Sequence, residues 1–313
     1  MIHIQKDKKE FKMRKIACLL VILFLLSMTA CTPKPDVKED ETNTGTVSPE
    51  VTATEPGEEN GDYVIKLSGD LFDSERQIDI EKLFADEEKA FTGVYSVINN
   101  WPTKKFYAAS GVKLEAILDE AGVGDFAQIT IVASDGYRMS FTREQVLAER
   151  FCYPGILEDD ESGFEPVPMI IATGFAEGSD NVADISQTAP ALIFGQEFIG
   201  EHNSPAFVEQ ISEIIVSAKD PGSWDVAYAF PQAGNIAAGE SVKLQHDSIG
   251  RVKLYYTTDG TEPTKFSACY NPSTYQPELS VPIEINEDTV IKVLVCGYGK
   301  KDSEIAELHF SIS

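Results

Sequence analysis

The 313-residue chain carries 51 Asp and Glu against 26 Lys and Arg, a formal charge of −25. A field of that sign repels nucleic acid and anionic lipid head groups, and it excludes both as partners unless a local basic patch overrides it. The length suffices for one large domain or two ordinary ones, and the order of elements gives two.

At the N-terminus Lys6, Lys8, Lys9, Lys12, Arg14 and Lys15 run straight into the apolar segment Ile16 to Leu26. That is the layout of a signal peptide, and the apolar run falls far short of the roughly 20 residues a membrane-spanning helix needs. Ser27-Met28-Thr29-Ala30-Cys31 resembles the lipobox at which lipoprotein precursors are cut and acylated, with Met28 where leucine is usual. Residues 1–30 are therefore expected to be a lipoprotein signal peptide. Cys31 is the expected lipidation site, which places the chain outside the cytoplasm, anchored to a bacterial cell membrane. Removing the signal takes away six basic and two acidic residues and leaves 20 against 49, a formal charge of −29.

Residues 31–61 hold no aromatic side chain and are rich in Pro, Thr, Glu, Asp and Gly. Too little apolar surface is present to offset the entropy of ordering, so this segment is expected to be a disordered acidic tether. A flexible coil of about 30 residues spans on the order of 30 Å. After Cys31 the cysteines are Cys152, Cys269 and Cys296. In an oxidising compartment Cys269 and Cys296 could form a disulfide; the alternative is two separate buried thiols.

From residue 62 to 218 strand and helix signals alternate, which predicts an α+β domain. Tyr63 to Leu67 is a strand and Ile80 to Phe84 begins a short helix. Val112, Leu114, Ile117, Leu118 and Ala121 share one helix face, with Gly122 placed to stop it. Ile129 to Ala133 and Tyr137 to Phe141 form a hairpin across Asp135-Gly136, and Thr142-Arg143-Glu144-Gln145 has the spacing of a capping box that opens another helix. Further strands are expected at Pro168 to Ala172, Ala191 to Phe194 and Ile211 to Val216.

Gly111-Val112-Lys113-Leu114 with its helix, the Ser134-Asp135-Gly136-Tyr137 hairpin, Pro190-Ala191-Leu192 and the Ile211 to Val216 strand resemble, in order, the molybdopterin-binding domain of sulfite oxidase-type enzymes. The resemblance implies a cysteine thiolate binding molybdenum from the segment just ahead of the Gly-Val-x-Leu helix. Here that segment, Val94 to Asn100, contains no cysteine. Cys152 is read as lying beyond the hairpin, in a helix, and arginines are scattered at 76, 138, 143 and 150. The expectation is a fold kept without its cofactor. Residues flanking the lost ligand are the candidates for a remaining ligand cleft: Trp101, Lys104, Lys105, Tyr107, Tyr137 and Arg138 combine aromatic faces with positive charge. The competing reading has the aromatics in a core and Lys104-Lys105 on a solvated turn.

No catalytic residue is assigned, since the sequence has no Gly-x-Ser-x-Gly elbow and nothing around His202 to make it a base. No metal ligand is assigned either: the spacing for zinc is missing, and the acidic runs Glu158 to Glu161 and Gly178 to Asp184 lack that of a calcium hand.

From residue 226 to 313 short strands replace helices: Val242 to Gln245, Val252 to Thr257, Val290 to Val295 and Glu307 to Ser311. The pattern predicts an all-β immunoglobulin-like sandwich. Tyr255-Tyr256-Thr257-Thr258-Asp259-Gly260-Thr261-Glu262-Pro263-Thr264 resembles the signature of the chitobiase C-terminal domain, extended by Phe230-Pro231, Gly234, Val242-Lys243-Leu244, Ile291-Lys292 and Gly299 to Ser303. That resemblance implies a spacer or interaction module. The combined expectation is a surface-anchored, non-catalytic lipoprotein that needs no cofactor and binds a small molecule, glycan or envelope protein. The alternatives are a molybdopterin-dependent oxidoreductase and a cell-envelope scaffold or adhesion protein.

Overall fold

The computed structural model describes residues 63–313. The expected signal peptide, the expected lipidation site Cys31 and the expected tether lie outside the described residues. In chain order the first strands are β1 (Val64–Gly69), β2 (Arg76–Asp79), β3 (Ala90–Ile98), β4 (Lys104–Lys113), β5 (Gln128–Ala133), β6 (Arg138–Thr142) and β7 (Phe151–Cys152). They are followed by β8 (Glu165–Pro166), β9 (Ile170–Glu177), β10 (Ser186–Ile193) and β11 (Ile211–Ser217). Three α-helices interrupt them: α1 (Ile80–Phe84), α2 (Leu114–Glu120) and α3 (Arg143–Leu147).

Two sheets organise this part. One has the order β2-β1-β11-β5-β6, the other β10-β9-β4-β3. Among the described residues no α-helix exceeds seven residues, so the mixture expected for residues 62–218 reduces to sheets with three short helices. The helix face read from the sequence is real but short: Val112 belongs to β4, while Leu114, Ile117 and Leu118 are buried against the sheets. Burying each such side chain contributes about 1.5–3 kcal/mol. Gly122 ends the helix with φ +66° and donates its N–H to the Asp119 carbonyl, a conformation that side chains with a Cβ rarely adopt.

The hairpin and the cap form as expected. Ile129 pairs with Phe141 and Ile131 with Met139 across a turn in which Gly136 has φ +89°. The Thr142 hydroxyl accepts from the Gln145 N–H, and the Gln145 side chain accepts from the Thr142 N–H. Cys152 corrects its expected place: it lies on β7, not in a helix, because Phe151 and Cys152 pair with Pro166 and Glu165.

The long hairpin β3-β4, paired over nine positions, had no counterpart in the strand pattern. Its strands are buried on both faces over part of their length, which removes the alternation that marks a strand. Gly111 sits where the β9 backbone occupies the space a Cβ would need, so β4 can pack against Ile171 and Ala172 only with glycine there.

The remaining strands are β12 (Tyr228–Phe230), β13 (Gly234–Ile236), β14 (Glu240–Gln245), β15 (Lys253–Thr257), β16 (Ala268–Cys269), β17 (Ile283–Ile285), β18 (Thr289–Cys296) and β19 (Ala306–Ile312). They form an all-β sandwich of two sheets, β12-β14-β17 and β13-β19-β18-β15-β16, around Val242, Leu244, Leu254, Ile291, Val293, Val295 and Phe310. Of the two readings left open for Cys269 and Cys296, the structure has the separate thiols and not the disulfide: all three described cysteines are free. Cys269 pairs with Tyr255 on one edge of β15, and Cys296 with Lys253 on the other. A whole strand separates them, about 9–10 Å between backbones at the usual spacing, beyond the reach of a disulfide.

Candidate functional site

The segment expected to have lost a metal ligand is closed by a hydrogen-bond network. Ser96 is fully buried on β3; its hydroxyl donates to Gln196 Oε1 at 2.5 Å and accepts from the Tyr153 N–H at 2.9 Å. Asn203 Nδ2 donates to the Ser96 and Phe194 carbonyls, and Asn203 Oδ1 accepts from the Ile98 N–H. Cys152 lies close enough for Ser96 to act on it, yet burial pushes its thiol up to about 11, so it stays protonated at neutral pH. A buried, satisfied hydroxyl in the segment where the resemblance would expect a thiolate, with a burial-held thiol as the nearest sulfur, does not fit a thiolate-held molybdenum. Among the described residues no three His, Cys, Asp or Glu side chains are grouped to hold a metal ion.

The six expected ligand-binding residues part company. Lys104 pairs with Asp159 and Lys105 with Glu177, which follows from their opposite directions on one strand. Tyr107 is buried edge-on against Phe207 and beside Phe175, so it belongs to a core cluster. These three are therefore removed from the candidate site: the charges are matched and the ring is packed. Trp101 is exposed and stacks on Tyr275 at 5.4 Å, with 18° between the rings. Tyr137 and Arg138 line a cleft.

That cleft, about 530 Å³, lies where the turn end of β6 and the loop through His202 and Ala206 face the start of β15 and the Cys296-Gly297-Tyr298 corner. Arg138, Arg251 and Lys253 line it, and no carboxylate does. Among the described residues none of these three cations forms an ion pair. Lys253 is the most telling. Its ammonium donates to the Asn271 carbonyl at 3.1 Å and the Pro272 carbonyl at 2.9 Å, which leaves one of three N–H groups. Burial lowers its pKa. His202 on the opposite wall is pushed down to about 4 by burial first and then by Lys253, so it is neutral at pH 7. Its Nδ1 has no hydrogen-bond partner among the described residues.

The Arg251 guanidinium lies 5.5 Å from the Trp224 ring centroid, and Trp224 Nε1 donates to the Gly297 carbonyl, so the ring anchors one wall. Burial raises the Tyr137 hydroxyl, and Arg251, which lines the cleft with it, lowers it. Beside the cleft a balanced network occupies the interior. Arg150, almost wholly buried, pairs with Glu197 and Glu201; Lys265 pairs with Glu197 and Asp302. In that network every cation has a carboxylate, in contrast to the cleft. The sequence did carry a signal for the missed residues: Arg251 and Lys253 alternate with buried Val252 and Leu254 at the entry to β15, so period two places them on one face.

Residues 231–307 match the family described as the chitobiase/beta-hexosaminidase C-terminal domain, in agreement with the signature and with the sandwich. A comparison with curated proteins finds no match.

Proposed function

We propose that the chain is an extracytoplasmic lipoprotein, tethered through Cys31, whose folded part binds a small molecule in the cleft between the β5-β6 hairpin and the C-terminal sandwich. In this reading residues 62–218 form an α+β domain that keeps the order of elements of the sulfite oxidase-type molybdopterin-binding domain and has given up its redox chemistry. Residues 226–313 act as a rigid wall of the site as well as a spacer. The observation that carries the binding reading is the lining: three cations that form no ion pair among the described residues, and no lining carboxylate, in a chain of net charge −25. Like-signed side chains gathered in one cleft repel one another and cost stability, which a bound partner of opposite charge would offset.

The oxidoreductase reading is disfavoured by the closed network around Ser96. A pure scaffold would leave the cleft lining unexplained. Gly250 supplies the test. A Cβ there meets only Thr274 Cγ2 at 3.8 Å, so Gly250→Trp can place its ring in the cleft without displacing backbone. The detergent-solubilised full chain and this variant are each dialysed against small-molecule extract of the producing cell envelope and analysed by native mass spectrometry. The wild type should retain a small molecule that the variant does not. Equal retention, or none by either chain, would remove the cleft as a ligand site.

A further inference from the structure

We infer that the cleft takes a small oxyanion carried on a flat ring, the oxyanion held by Arg138, Arg251 and Lys253 and the ring by the aromatic mouth that starts at Tyr137. This inference rests on the binding reading above and specifies its ligand class. Three observations lead to it. First, the cations converge from separate segments, Arg138 from β6, Lys253 from the start of β15 and Arg251 from the turn just ahead of it, so their proximity is made by the fold and not by sequence adjacency alone.

Second, Lys253 is anchored by two carbonyls, with no anion within pairing distance among the described residues. A largely buried ammonium with one N–H left over and no counter-charge is a costly arrangement, and an oxyanion accepting from that N–H would relieve it. Arg251 is preorganised by contact with Trp224 and adds a planar donor fork suited to phosphate or carboxylate.

Third, the mouth is aromatic. Tyr137, 47% exposed, lines the cleft, and the stacked rings of Trp101 and Tyr275 each follow a lining residue, Asn100 and Thr274. Rings presented at the mouth of a cationic pocket suit a ligand with a flat face on one side and charge on the other.

The chain has two tryptophans, Trp101 next to the lining residue Asn100 and Trp224 against Arg251, so intrinsic fluorescence reports from two places beside the cleft. The full-length chain in neutral detergent is titrated with phenyl phosphate, benzoate and benzyl alcohol, which share a ring and differ in charge. Phenyl phosphate and benzoate should give saturable changes that weaken with added salt, and benzyl alcohol should not. The comparison of phosphate with carboxylate tells which oxyanion is preferred. Arg138→Ala and Arg251→Ala, which remove exposed side chains, should each weaken the better anion by about tenfold with circular dichroism unchanged.

Undiminished anion binding by the Arg138→Ala/Arg251→Ala double variant would overturn the inference. A saturable response to benzyl alcohol alone would overturn the anionic class and leave the ligand cleft standing. No response to any of the three, with Gly250→Trp indistinguishable from wild type, would remove both.

Discussion

The Tyr298 hydroxyl donates to Glu201 Oε1 at 2.6 Å, joining a corner of the C-terminal sandwich to the interior of the N-terminal sheets. Around that bond the Tyr298 ring packs edge-on against Phe141 and Phe194, two fully buried residues of the first core. Gln145 adds a second tie: its amide donates to the Gly297 and Lys300 carbonyls and accepts from the Gly299 N–H, while the same side chain caps α3. One wall of the cleft is thereby fixed against the other.

Removing the hydroxyl should cost less than removing the ring. Tyr298→Phe leaves Glu201 short of one donor and should lower stability by about 1.5–3 kcal/mol, the range for a hydrogen bond to a charged group. Tyr298→Ala also empties the space beside Phe141 and Phe194 and should cost about 3–5 kcal/mol. Urea unfolding of the full chain measures both. Equal, small losses would mean that the corner is not seated in the first core.

Arg150 poses the sharper electrostatic question. Its side chain is 1% exposed and faces Glu197 and Glu201, the latter 13% exposed. Arg150→Met strands a buried carboxylate and should cost about 3–5 kcal/mol, part of which Glu201→Gln in the same chain should restore. Additive losses in the double variant would show that the two residues do not share one network.

Acid sensitivity should come in part from His202. Its ordinary value is 6.5 and burial brings it to about 4 in the folded chain. Between those values the unfolded chain binds a proton that the folded chain refuses, so stability falls as pH drops from 6.5 toward 4 and this contribution levels off below. The span corresponds to about 3 kcal/mol. Paired carboxylates such as Glu177 and Asp220 titrate in the same direction at lower pH, so the comparison is between wild type and His202→Gln. The variant should have a flatter stability profile from pH 6.5 to 4; identical profiles would show that His202 does not carry this share.

The thiols should behave as separate groups. Peptide mapping of the unreduced chain should recover Cys269 and Cys296 unlinked, and Cys152 should alkylate slowly in the folded protein because burial holds it as a thiol. A peptide cross-linked between 269 and 296 would require the β16-β15-β18 register to be different.

What the sequence revealed followed local rules. Asp135-Gly136, the Thr142 to Gln145 box, Gly122 and the Asp259-Gly260 turn each specify a conformation within four residues, and each forms. The β3-β4 hairpin escaped because burial on both faces erases the period of two. The candidate site was half legible. Tyr137 and Arg138 reach the cleft, but Lys104, Lys105 and Tyr107 were grouped with them by closeness in sequence, and β4 sends them elsewhere. Arg251 and Lys253 come from more than a hundred residues downstream, across a junction that no local pattern encodes.

The proposed loss of redox chemistry depends on Ser96 and its partners filling the segment where the resemblance would expect a metal-binding thiolate. The most direct test is the molybdenum content of the full-length chain purified from a molybdenum-replete host, measured by elemental mass spectrometry against protein concentration. A background level, unchanged in Cys152→Ser, is the predicted result. Molybdenum near one per chain, lost in Cys152→Ser, would contradict the account.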